Sequence, residues 1–208
     1  MLAIIGITNI VAQDWSSSVY KPGTRYPGYL ITSKGDTLNG YIKYTDRYQL
    51  QNTVEFYLDK DDKKSLTKYK AQDLTEYKMA DKTYHVIRYS GGMMKEPLKG
   101  NLLVNAGCIS EYVWYNKAEN FYSLRMSPNE TQEEFEARLY PPKQLYHKAG
   151  DKYPMTLEDF ALGFRKKMAD YVKDQAELSK RIADGEKGYG LLNIDAIIAE
   201  YNANCEEP

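Results

Sequence analysis

The stretch Tyr26–Asp46, YPGYLITSKGDTLNGYIKYTD, decides the fold. Gly35-Asp36 at its centre reads as a two-residue hairpin turn, because the first central position of a type II′ turn needs φ > 0, which a Cβ opposes. With that loop Lys34 pairs with Thr37, Ser33 with Leu38, Ile31 with Gly40 and Tyr29 with Ile42. Tyr29, Ile31, Leu38, Ile42 and Tyr44 then share one face. Thr32, Lys34, Thr37, Asn39 and Lys43 share the other, with Leu30 and Tyr41 as exceptions. A slip of one residue would mix the faces, so pattern and turn chemistry agree. The stretch specifies antiparallel sheet and no chemistry.

Outward from it the period of two continues. Thr53–Leu58 alternates Val54, Phe56 and Leu58 against Glu55 and Tyr57, and a polar strand at Lys64–Lys70 follows the turn Asp59–Lys63. Asp73–Met79 and Thr83–Ser90 flank Asp81-Lys82, and Ser90-Gly91-Gly92 closes that hairpin. Leu102–Asn105 and Ile109–Asn116 flank Ala106-Gly107, and Phe121–Met126 reads as the last strand. The spacing predicts about eight strands in a meander, forming a roll, barrel or sandwich. Ser127-Pro128-Asn129-Glu130 then carries helix-start residues, Ser as N-cap with Pro at the first helical position, and the short helix ends before Pro141-Pro142. From Thr156 the period becomes 3.6, with Leu157, Phe160, Ala161, Phe164, Met168, Tyr171 and Val172 on one stripe and Thr156 with Asp159 as a capping box. Further helices follow at Gln175–Ala183, ended by Gly185 or Gly188, and at Ile194–Asn202. The expectation is an α+β chain: an antiparallel β domain over 14–126, a connector with a short helix over 127–155, and a helical subdomain over 156–208. Its apolar stripe must cover a sheet face, its own helices or a partner.

Composition excludes some function classes. The chain has 208 residues and a net charge of −1, with no basic block, which argues against an electrostatic grip on nucleic acid. Its 20 tyrosines suit cross-strand packing. Residues Met1–Gln13, MLAIIGITNIVAQ, resemble a secretory signal peptide's apolar region and cleavage site near Ala12 or Gln13, although no Lys or Arg precedes Lys21; a buried first strand is the alternative. The run is too short to span a bilayer, so no transmembrane span is expected in the mature chain. Trp15–Arg25 reads as an entry loop. Cys108 and Cys205 are either one disulfide or two buried thiols; because Cys205 falls in the C-terminal tail, the reading is no bridge.

No stretch meets the requirements of a known catalytic or metal site. The Asp59–Lys70 run has Lys64 where a calcium loop needs Gly and Lys70 where it needs Glu. Gly185–Gly190, GEKGYG, lies between helices rather than after a strand, so it is no dinucleotide fingerprint. His85 falls mid-strand and reads as a side chain with a hydrogen-bond partner, and His147 falls in a loop; neither has an activating neighbour in sequence. Glu111, Glu130, Glu133 and Glu134 offer no pair that the spacing singles out. Catalytic, cofactor-binding and metal-binding residues are therefore assigned to none. One surface feature stands out: Tyr112 and Trp114 point to the same side of their strand, with Tyr115 on the other, and form an aromatic platform if that side is open. The alternative, which the large area that Trp buries favours, is that Trp114 anchors the core of the sheet.

The segments GYLITSKGDTLNGYIKYTD, IRYSGG, ISEYVWY, HKAGDKYPMTLEDFALGFRKKMADYVKD and GYGLLNIDAIIAEYN, in that order, resemble uncharacterised secreted or periplasmic proteins of Bacteroidota. That resemblance covers most of the chain and implies a location and an architecture, with no activity. The functional expectation is a non-catalytic secreted or periplasmic binding or structural module, with a protein or glycan partner in the cell envelope. One alternative is a carrier of small lipophiles with a barrel cavity lined by residues such as Phe56, Val86 and Val113. The other is an unrecognised hydrolase built on a histidine or carboxylate with a shifted pKa.

Overall fold

A computed structural model describes residues 19–88 and 98–205. The signal-like run Met1–Gln13, the first part of the entry loop and Ser90-Gly91-Gly92 lie outside the described residues. Among those described, ten strands form one antiparallel sheet, in chain order β1 (Arg25–Thr32), β2 (Thr37–Lys43), β3 (Thr53–Tyr57), β4 (Thr67–Lys70), β5 (Leu74–Met79), β6 (Lys82–Ile87), β7 (Lys99–Asn105), β8 (Ile109–Tyr115), β9 (Pro142–Lys148) and β10 (Met155–Thr156). Helices are α1 (Arg47–Leu50), α2 (Gln132–Leu139), α3 (Leu157–Ala161), α4 (Phe164–Tyr171), α5 (Ala176–Asp184) and α6 (Ile194–Ala203). The strand order across the sheet is β10-β9-β8-β7-β6-β5-β1-β2-β3-β4, and the sheet is not closed. The α+β class and the sheet-then-helices order are as the sequence predicts. No helix among the described residues is long and apolar enough to cross a membrane.

A short link forces the sheet to curl. β4 and β5 are joined by Ala71–Asp73 alone, yet β3, β2 and β1 lie between them. On a flat sheet that separation is four strand spacings, roughly 19 Å. Four residue steps reach at most roughly 14 Å. The strands therefore roll until β4 comes round toward the start of β5. Leu30, Ile42, Phe56, Leu74, Tyr77, Met79, Tyr84 and Leu102 fill the inside of the roll, packed with Tyr44, just after β2, and Leu50 of α1.

The first hairpin is real, but its register differs from the two-residue turn. Ile31 pairs with Thr37, Leu30 with Leu38, Gly28 with Gly40 and Tyr26 with Ile42. The loop is Thr32–Asp36, in which the Thr32 hydroxyl accepts from the Asp36 N–H (3.1 Å), the Thr32 carbonyl accepts from the Gly35 N–H (2.9 Å), and Gly35 takes φ +93°. The longer turn uses the threonine side chain as well as the glycine, and it moves the pairing by three. An odd shift exchanges the faces. Leu30, an exception in the predicted register, goes to the core at 0% exposure beside Ile42 and Tyr44, while Tyr29 and Ile31 turn outward.

Three other expectations are corrected. Phe121–Met126 forms turns, not a strand, and β9 is the strand that pairs with β8 along its length, from Ile109–Lys148 to Tyr115–Pro142. Pro142 is tolerated because it is the first residue of that strand. The short helix begins later than expected: the Thr131 hydroxyl accepts from the Glu134 N–H (3.2 Å) while the Glu134 carboxylate accepts from the Thr131 N–H (2.8 Å). Ser127 instead donates its N–H to Glu130.

The third correction concerns the cysteines. Cys108 and Cys205 are bridged, with Cα atoms 6.5 Å apart. The tail is anchored rather than frayed. The Asn202 side chain of α6 brackets Ile109, accepting from its N–H and donating to its carbonyl, both at 2.8 Å. Cys205, three residues on, is thereby delivered to Cys108.

The helical part forms as read, with the predicted Thr156–Asp159 capping box at α3 and Gly185 (φ +70°) ending α5. Gly163 at φ +77° breaks the expected long first helix into α3 and α4. The apolar stripe covers the sheet and its own helices together: Phe160, Met168, Val172, Ile182, Ile197 and Ile198 pack with Ile109 and Tyr146.

Candidate functional site

The helices and the inner core share one face of the sheet, and the other face carries a separate set of polar and aromatic side chains. Register decides what stands there. Glu76 pairs directly with His85 across β5–β6, Tyr29 of β1 sits diagonal to Glu76, and Tyr112 of β8 reaches His85 over β7. Two strand spacings, roughly 10 Å, separate β6 from β8. A tyrosine is long enough to bridge that distance with an imidazole meeting it.

These four side chains form a connected row. The Tyr29 hydroxyl donates to Glu76 Oε1 at 2.5 Å. The other carboxylate oxygen lies 3.5 Å from His85 Nε2. His85 Nδ1 is 2.8 Å from the Tyr112 hydroxyl. With the imidazole proton on Nε2, toward the carboxylate, Nδ1 accepts from Tyr112 and each group has a role its chemistry allows. The electrostatics follow from this wiring. The hydrogen bond to Glu76, more than burial, pushes Tyr29 up to about 12. Burial holds His85 below its ordinary value and outweighs the attraction of Glu76, so the imidazole is neutral at neutral pH. Burial likewise raises Tyr112.

The expected platform residues belong to this face. Tyr112 and Trp114 do share a side, opposite Tyr115, but they are 4% and 6% exposed and pack with Leu145, Ile87 and Leu103. That is the packing role, not an open stacking surface. The Lys99 ammonium lies 4.4 Å from the Trp114 ring. Tyr29 and Glu76 were not legible as partners: the shifted hairpin register is what turns Tyr29 outward. His85 was legible in part, as a strand histidine with a hydrogen-bond partner.

Two other clusters tie the helices to the sheet. Gln144 bridges the carboxylates of Glu111 (3.4 Å) and Asp195 (3.3 Å), and the Tyr146 hydroxyl donates to Asp195 (3.2 Å). Burial raises the Glu111 pKa. Beside the disulfide, a groove of about 490 Å³ is bordered by Lys148, Asp174, Tyr201 and both cysteines. Its charges are spent on one another, since Lys148 and Asp174 pair and the Tyr201 hydroxyl donates to Asp174 (2.6 Å). His147 uses its ring to bond the Asp151 carbonyl at 2.9 Å.

Comparisons with protein-family models, with curated proteins and with solved structures find no match to this chain.

Proposed function

We propose that the protein is a non-catalytic binding module of the cell envelope, secreted or periplasmic, whose outer sheet face recognises a glycan. The observation that carries the reading is the Tyr29–Glu76–His85–Tyr112 row: polar and aromatic groups held by one another on four strands of one rigid sheet. Such groups are ordered before a ligand arrives, which lowers the entropic cost of binding. The partly exposed Tyr29 ring offers a face to sugar C–H groups, while carboxylate and imidazole suit sugar hydroxyls and the shielded Tyr112 holds the imidazole in place. The disulfide supports an oxidising compartment, in keeping with the export that the resemblance to secreted Bacteroidota proteins implies.

A lipophile carrier would need a hollow closed barrel, whereas this sheet does not close and Phe56, Val86 and Val113 pack into the filled core. A hydrolase would have to use the same row, but the hydroxyl bonded to the base belongs to Tyr112, which is shielded and has a raised pKa. Neither is favoured.

The test is retention of the purified protein on insoluble cell-wall polysaccharide. Tyr29→Ala and His85→Ala should reduce retention, while Leu162→Ser, an 84%-exposed position among the helices, should leave it unchanged. Equal retention of all three would refute the reading.

A further inference from the structure

The ammonium of Lys117 stands among three aromatic rings: 4.8 Å from the centroid of Phe121, 5.2 Å from that of Tyr48 and 5.9 Å from that of Tyr122. All three fall within the distance at which a ring face attracts a cation. The rings come from two separated stretches, Tyr48 from α1 and the other two from the turns after β8. Tyr140, at the end of α2, backs them; it stacks on Tyr48 (5.6 Å between centroids, 11° between planes) and lies 5.5 Å from Phe121. Phe121 and Tyr122 meet edge to face at 5.3 Å.

The turn carrying these rings is fixed before any ligand arrives. The Asn116 N–H donates to the Pro141 carbonyl (3.2 Å), the Ala118 N–H to Leu139 (2.9 Å) and the Phe121 N–H to Ala118 (3.0 Å). Asp46, the N-cap of α1, adds negative charge nearby: burial raises its carboxyl, and the Lys117 charge works in the opposite sense. Tyr48 and Phe121 rest in part against the inner core, whereas Tyr122 is 84% exposed, so the group of rings opens to solvent on the Tyr122 side.

Lysine is a poor occupant for such a site. Its compact ammonium is strongly hydrated, so the rings must compete with water for it. A quaternary ammonium has no N–H groups to desolvate and gains more from the same ring faces. Lys117 is itself exposed, and its four-carbon stem has the rotatable bonds to swing the ammonium out to water. We propose that Tyr48, Phe121 and Tyr122 form an aromatic cage for a quaternary ammonium group, with Lys117 as the internal occupant that the ligand displaces. This site lies apart from the outer-face row, and its existence is independent of the glycan reading.

Choline, added to the isotopically labelled full chain and followed by NMR, tests the proposal. Saturable shifts are expected at the rings of Tyr48, Phe121 and Tyr122. Lys117→Gln, which empties the cage, should tighten choline binding about two- to five-fold, and Phe121→Leu, which keeps apolar volume but removes a ring, should weaken it by at least that factor. The uncharged carbon isostere 3,3-dimethylbutan-1-ol should leave the rings unshifted. Co-sedimentation with phosphatidylcholine vesicles, against vesicles lacking that headgroup, separates the two sources of this chemistry: vesicle binding identifies a lipid headgroup, and binding of choline alone identifies a free solute. No saturable shift in either the wild type or Lys117→Gln, or equal binding of the uncharged isostere, would overturn it. Unchanged shifts elsewhere in the Phe121→Leu spectrum show that the variant is folded, so its loss of binding reports on the cage.

Discussion

Replacing both Cys108 and Cys205 by serine should lower stability by about 2–4 kcal/mol. The bridge joins residues 97 apart in sequence, so it closes a loop of nearly half the chain. Chain-entropy arithmetic for a loop of about 100 residues gives about 4.7 kcal/mol, an upper figure because compact unfolded chains have less entropy to lose. The folded side changes little, because α6 keeps its other anchors. Asn202 still brackets Ile109, and the Gln175 side chain still donates to the Tyr201 carbonyl at 2.8 Å. The effect thus lies mainly in the unfolded state. Urea unfolding of the double variant should show a lower midpoint together with a steeper dependence on denaturant, since the uncrosslinked chain exposes more surface. An unchanged midpoint and slope would refute the reasoning. So would a loss of hydrogen-exchange protection confined to residues 203–205, which would mean that the bridge holds only the chain end.

Three further outcomes follow from named contacts. Gly28→Ala places a Cβ 1.9 Å from the Lys78 carbonyl oxygen, so β1 and β5 must part; thermal unfolding should show roughly 1–3 kcal/mol of destabilisation, whereas Gly190→Ala, with open space around it, should stay near wild type. Tyr29 should ionise near 12 in an ultraviolet titration, and Glu76→Gln should bring it back toward 10, the ordinary tyrosine value; an unmoved Tyr29 would show that the hydrogen bond is not the cause. His85 is lowered in the fold, so the unfolded chain takes up its proton first. The stability this gives is present above about pH 6.5, the free-histidine value, and is lost as pH falls below it toward the folded pKa. Stability measured from pH 7.5 down to 5 should therefore decline less in His85→Gln than in wild type; equal slopes would contradict the shift.

What was legible in the sequence was periodicity. The change from period two to 3.6 at Thr156, the Thr156–Asp159 cap and a stop at Gly185 or Gly188, which the fold resolves to Gly185, depend on neighbours a few residues away. The hairpin register was missed because the Thr32 side chain takes part in the turn, a contact that competes with the two-residue reading and that the alternation pattern does not resolve. β9 was hidden by Pro141-Pro142, which punctuates the chain like a loop although a strand can start at a proline. The disulfide and the Tyr29–Glu76–His85–Tyr112 row escaped for a common reason. Both depend on which strands lie side by side, and the pairing of β1 with β5, or of α6 with the β7–β8 turn, joins residues far apart in sequence. Alternation places Tyr112 and Trp114 on one side of their strand but does not choose between an open platform and packing; the area of the Trp114 side chain favours packing, and the two rings lie buried among Leu145, Ile87 and Leu103.

The claim that the outer sheet face does the recognising is tested most directly by mapping amide and side-chain NMR shifts while soluble fragments of cell-wall polysaccharide are added to the oxidised full chain. The account predicts saturable changes centred on Tyr29, Glu76, His85 and Tyr112 that disappear in Tyr29→Ala. Changes centred instead on α3 to α6, or a spectrum that no fragment alters, would contradict it.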